Sequence, residues 1–139
     1  MEEIIETFKR YELKFMLTRS QVARLHKAMQ GHSVLDFYGH STIRNIYYDT
    51  DNFRLVRRSI EKPCYKEKLR VRAYSKVGSG DPVFVELKKK YDSVVYKRRI
   101  ELPHRAAVDA LANGYPLPAN TQIALEIEAF RRFYGESLG

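Results

Sequence analysis

The chain has no tryptophan and a single cysteine, Cys64, among its 139 residues. One thiol excludes an internal disulfide and fits a reducing compartment, so a cytoplasmic protein is expected. Long apolar runs are also missing, which argues against a spanning helix or a secretory signal in this sequence. Acid is scarce: 17 Asp and Glu stand against 25 Lys and Arg, for a net charge of +8. The partners such a balance favours are anions: nucleotides, polyphosphate, nucleic acid or an acidic membrane surface. With only 7 Gly and 5 Pro, no stretch reads as a linker, and residues 1–139 are expected to form a single domain.

What is present is alternation. Residues 9–17 (KRYELKFML) place Arg10, Glu12 and Lys14 on one side and Tyr11, Leu13, Phe15 and Leu17 on the other, the pattern of a half-buried strand. Thr18 and Gln21 form a capping-box pair, and Val22, Leu25, His26 and Met29 make the apolar stripe of a helix ending at Gly31. A second strand is expected at about 42–50, closed by the turn formers Asp49, Thr50, Asp51 and Asn52. Residues 53–60 are ambiguous. Further strands follow at 65–74, 82–90 and 94–102, separated by the loop VGSGDP (77–82) and a turn at Asp92 and Ser93. Helices are expected at about 103–113 and 120–134, the second carrying Ile123, Ile127, Phe130 and Tyr134 at helical spacing. The fold class is therefore α+β, with an antiparallel sheet and about three helices.

The stretch YKEKLRVRAY (65–74) carries the chemistry. Side chains of a strand alternate between faces, so Lys66, Lys68, Arg70 and Arg72 share one side and Leu69, Val71 and Ala73 the other. By the same rule Phe84, Glu86, Lys88 and Lys90 share a face of the next strand, and Val95, Lys97, Arg99 and Glu101 a face of the last. Same-face neighbours sit about 7 Å apart, so each like pair repels by roughly 0.6 kcal/mol in bulk water but roughly 2.4 kcal/mol at an effective dielectric near 20. Open to water, the pattern is a tolerable outer face, and basic strand faces are often no more than that. Lining a concavity, it calls for an anion with closely spaced charges, and the guanidinium forks of Arg70 and Arg72 suit phosphate oxygens.

In order, RYELKF, IYYDT, KEKLRVRAY, VFVELKKK and VYKRR resemble the VTC-type polyphosphate polymerase domain, a branch of the CYTH/triphosphate tunnel metalloenzyme superfamily. The resemblance spans almost the whole chain. It implies an antiparallel β-tunnel, here a partial or half barrel, because the further tunnel strands of that family have no counterpart after the last helix. It further implies phosphoryl transfer from ATP to a growing polyphosphate, aided by Mg²⁺ or Mn²⁺. Carried over by position, Lys14, Arg70, Arg72, Lys88 and Lys97 would contact phosphate, with Lys68 and Arg99 on the same faces and Arg57 in the segment after IYYDT. Glu86 and Glu12 are the candidate metal carboxylates, and a homodimer that completes the barrel is among the implied partners.

Other signals are weak. VGSGDP lacks the Gly-Lys-Ser/Thr ending of a phosphate-cradling loop, and the four histidines show no zinc-ligand spacing. Tyr11, Phe15 and Tyr65 fall on apolar faces, leaving chiefly Tyr74 and Phe84 among the cations, so a phosphate ligand is favoured over nucleic acid. The alternatives are a non-catalytic module binding polyphosphate, inositol phosphates or RNA, and a remnant whose open sheet edge serves only dimerisation.

Overall fold

A computed structural model of the chain describes residues 7–10, 13–37, 39–135 and 138–139, the first group as backbone. The elements run β1 (Thr7–Arg10), α1 (Arg19–Met29), β2 (Arg44–Tyr48), α2 (Arg54–Ile60), β3 (Tyr65–Ala73), β4 (Pro82–Tyr91), β5 (Val94–Pro103), α3 (His104–Ala112) and α4 (Gln122–Tyr134). The fold is α+β as expected, with four helices among the described residues rather than about three. The ambiguous segment is α2.

The five strands form one sheet in the order β1-β5-β4-β3-β2, every pair antiparallel. The sheet is open, with β1 and β2 at its two edges. Its centre is a meander of three long strands, and the β4–β5 connection is a two-residue turn in which both Asp92 (φ 41°) and Ser93 (φ 67°) are left-handed. That is the turn geometry whose twist matches a tight hairpin.

One sheet face is greasy. Leu69 and Val71 of β3, Val83, Val85 and Leu87 of β4, and Ile100 and Leu102 of β5 are buried beneath Ala107 and Leu111 of α3 and Ile123, Ile127 and Phe130 of α4. Burying each such Leu, Ile or Val is worth about 1.5–3 kcal/mol, so this layer holds the strands in register. Two side-chain devices position the helices, one buried and one half-buried. Arg131 of α4 donates to the carbonyls of Tyr115 (2.7 Å) and Ala110 (3.1 Å), tying α4 to the end of α3. Glu67 of β3 accepts from the hydroxyls of Tyr65 (2.8 Å) and Tyr134 (2.6 Å), tying α4 to the sheet.

Asp49 explains α2. Its carboxylate accepts from the backbone amides of Leu55 (2.8 Å) and Val56 (2.9 Å), capping a helix whose own N-cap residue, Phe53, is left-handed and offers no side-chain cap. Asp49 is thus a turn former and a cap at once. The loop before β4 caps α3 in a related way, the carbonyls of Asp81 and Ser79 accepting from the amides of His104 (2.8 Å) and Arg105 (2.9 Å).

Two expectations fail at the beginning of the chain. The strand expected over 9–17 is the shorter Thr7–Arg10, and residues 13–18 are outside any strand. Leu13 and Phe15, expected on a buried side, are 82% and 78% exposed. Alternation marks which residues could share a face, but a strand also needs a partner, and among the described residues β5 pairs on its outer side with Thr7–Arg10 alone. The helix after Thr18 does form with its capping box, Gln21 and Thr18 bonding reciprocally, yet none of its residues is buried. The stripe of Val22, Leu25 and Met29 faces outward, 37–45% exposed.

Candidate functional site

The second sheet face carries the cations, and strand register brings them level. Lys66 pairs with Lys90; Lys68 with Lys88, which in turn pairs with Lys97; and Arg70 with Glu86, which pairs with Arg99. Directly paired residues on adjacent strands point to the same side, so the faces deduced from alternation on β3, β4 and β5 coincide. Alternation also splits the two basic runs. In 88–90 only Lys88 and Lys90 join this face, and in 97–99 Arg98 turns away to meet Glu126 of α4 at 2.8 Å.

These side chains line a groove of about 650 Å³. Lys66, Lys68, Arg70 and Arg72 line it from β3, Lys88 and Lys90 from β4, Lys97 from β5, and Lys14 from the segment before α1. Tyr47 of β2 and Val95 of β5 complete the lining. Like charges set opposite one another are destabilising, and here they leave a chemical trace. Burial, then the neighbouring charges of Lys90, Lys68, Lys14 and Lys62, pulls the Lys66 ammonium below its ordinary range.

At one end stands a buried ion cluster. Glu86 is 0% exposed, and both Nε and Nη2 of Arg70 lie 2.6 Å from its Oε2. Arg72 Nε approaches the same oxygen at 3.9 Å, and Lys97 Nζ approaches Oε1 at 3.5 Å, a charge contact rather than a short hydrogen bond. Arg70 Nη1 also donates to the hydroxyl of Tyr47 at 3.0 Å, and Arg72 Nε to Asn45 Oδ1 at 2.8 Å. The electrostatics follow the geometry. Burial lowers the proton affinity of Arg70, but the Tyr47 hydrogen bond and Glu86 outweigh it, and its pKa is raised. For Lys97, burial with the charges of Arg99 and Arg72 outweighs Glu86, and its pKa is lowered. Burial would raise the Tyr47 hydroxyl, yet the bond from Arg70 and the charges of Arg70, Lys68 and Arg72 bring it below its ordinary value.

Of the candidates named from the sequence, Lys14, Lys68, Arg70, Arg72, Lys88 and Lys97 come together around the groove. Arg99 is on the same face, with its guanidinium 4.5 Å from the centre of the Phe84 ring. Arg57 is not at the groove: it sits in the last turn of α2 and is exposed. Glu12 lies outside the described residues. Tyr47 was missed, although the alternation of Asn45 and Tyr47 against Ile46 and Tyr48 in β2 carries the signal.

A divalent metal prefers several hard oxygen ligands. Among the described residues no group of three or more His, Cys, Asp or Glu side chains converges. Glu86 is already held by Arg70 on one oxygen and approached by Lys97 on the other, so this donor set does not fit a bound divalent ion by itself.

An antiparallel sheet with helices on its apolar side and a lysine- and arginine-lined groove on the other defines an α+β domain with a basic groove. The family model for the VTC domain matches residues 9–133, and the chain belongs to that family, which is associated with polyphosphate-related function. No curated protein and no solved structure matches it. Among the described residues no helix is long and apolar enough to cross a membrane.

Proposed function

We propose that the groove binds a linear phosphate chain, either the triphosphate of ATP or polyphosphate. The observation that carries this reading is the ladder Lys68–Lys88–Lys97, three ammonium groups set level across three adjacent strands, with the Lys66–Lys90 pair beside it. Cross-strand repulsion of this kind costs stability, and a flexible chain of closely spaced negative charges relieves it along its length. A single carboxylate or sulfate would relieve only one rung.

The fuller form of the reading is transfer of a phosphoryl group from ATP to polyphosphate. That chemistry rests on charge stabilisation and in-line positioning more than on a side-chain nucleophile. Lys68, Lys88, Lys97 and Arg72 would hold the transferring phosphates, while Arg70, tied to Glu86 and Tyr47, would stiffen the wall. No step is assigned to a protein-held metal, and a Mg²⁺ or Mn²⁺ ion would have to arrive with the phosphates. In the same reading the open edges at β1 and β2 accept further strands, including those of a second copy, to close a tunnel. One observation favours a second reading, a non-catalytic module for polyphosphate, inositol phosphates or RNA: the groove's buried carboxylate is engaged by arginine.

Calorimetric titration with tripolyphosphate tests the binding. Lys68→Ala with Lys88→Ala, which leaves the Glu86 cluster intact, is expected to weaken affinity at least tenfold; an unchanged dissociation constant would count against the groove. Polyphosphate formation from ATP with Mg²⁺ or Mn²⁺ supports the transfer reading, and tight binding in EDTA with no turnover supports the module.

A further inference from the structure

We infer that the arginine end of the groove carries a platform for one nucleobase, so that a nucleoside polyphosphate enters in a single direction. This rests on the phosphate-binding reading of the groove and adds a site to it.

The two ends of the groove differ in kind. At one end Lys14, Lys66 and Lys90 gather. At the other, Phe84 sits on the cation face between Arg72 and Glu101, its cross-strand partners. Arg99 stacks over Phe84 at 4.5 Å, Tyr74 meets the same ring edge-on with centroids 5.8 Å apart, and Arg72 lies 6.0 Å from the Tyr74 ring centre. Tyr74 and Phe84 lie outside the buried core, and Tyr74 keeps 40% of its surface in solvent. An exposed ring braced by a second ring and two guanidinium groups is a flat, electron-rich and cation-edged surface, the arrangement on which nucleobases stack.

Charge separates the ends further. Glu101 faces the aromatic end and opposes phosphate there, while its oxygens can accept hydrogen bonds from an exocyclic amine of a base. The Arg72–Phe84 rung and the Lys66–Lys90 rung are six residues apart along β3, roughly 20 Å at strand rise, a span that suits an extended nucleotide with its phosphates toward the lysines. The platform offers one well-exposed ring, Tyr74, and so one stacking surface. That fits a mononucleotide and not a run of stacked RNA.

The test compares ATP with tripolyphosphate by calorimetry in EDTA, on the full chain, for wild type, Tyr74→Leu and Tyr74→Phe. Tyr74→Leu is expected to weaken ATP binding roughly tenfold, the effect of losing one stacked ring, while tripolyphosphate affinity stays within twofold. Tyr74→Phe, which keeps the ring, is expected to bind both as wild type does. An ATP-to-tripolyphosphate affinity ratio that Tyr74→Leu leaves unchanged would overturn the platform and leave the phosphate groove standing. Failure of wild type to bind either compound would remove the groove and the platform together.

Discussion

Arg70 and Glu86 meet through a single carboxylate oxygen: Nε and Nη2 of the guanidinium both lie 2.6 Å from Oε2. With Nη1 bonded to Tyr47, each nitrogen of Arg70 has a protein partner, so this residue is a brace for the groove wall. Glu86 in turn is an internal counter-charge that lets Arg70, Arg72 and Lys97 share one corner of the sheet.

Removing that counter-charge leaves buried cations uncompensated, which typically costs about 3–5 kcal/mol. Glu86→Gln is therefore expected to lower stability by roughly 3 kcal/mol in urea unfolding. Millimolar tripolyphosphate should raise the melting temperature of the variant more than that of wild type. Equal shifts in the two proteins would show that the ligand does not reach this corner.

Binding is expected to weaken as pH rises. The Lys66 and Lys97 ammonium groups have depressed pKa values in the empty groove, so they begin to lose protons at a lower pH than an ordinary lysine does. A phosphate chain favours their charged forms and restores them. Affinity for tripolyphosphate is then expected to fall as pH climbs through the depressed values toward 10.5, with proton uptake on binding in that window. Calorimetry in buffers of different ionisation enthalpy measures the uptake directly.

The α4–sheet tie responds to alkali. Burial, then the hydrogen bond to Glu67, raises the Tyr134 hydroxyl to about 12 from its ordinary 10.0, and Tyr65 is shifted the same way. A raised folded-state value means the folded protein keeps a proton that the unfolded chain releases above pH 10, so stability is complete below pH 10 and is lost as pH rises toward 12. Tyr134→Phe should be less stable than wild type at pH 8, and its decline between pH 10 and 11.5 should be shallower, as read from urea midpoints.

Ser93 is left-handed at φ 67° in the β4–β5 turn. Glycine adopts that conformation without the side-chain penalty, so Ser93→Gly is expected to stabilise by up to about 1 kcal/mol, with tripolyphosphate affinity unchanged. Thermal melts paired with titration check both halves.

The central meander was legible because alternation is a local property: Lys68, Lys88 and Lys97 declare their side of the sheet within their own strands. The same rule misled at Leu13 and Phe15, where the pattern is present and the pairing strand is not. It also named the stripe of α1 without being able to say whether anything covers it. The α2 helix stayed ambiguous because its cap, Asp49, reaches the amides of Leu55 and Val56 from six and seven residues away, across a left-handed Phe53. The bracing role of Arg70 was hidden for a related reason. That Glu86 stands opposite it depends on register, which no single strand contains.

The two-residue turn at Asp92 and Ser93 fixes β5 against β4 with no slack. Because one sheet side is oily and the other ionic, a shift by one position would invert every residue of β5, forcing ammonium groups under the helices and bare isoleucine into water. Deleting a single turn residue would thus cost the molecule its ability to fold and its affinity in the same stroke. Evolutionary change in this hairpin should therefore proceed by replacement of side chains and never by altered loop length.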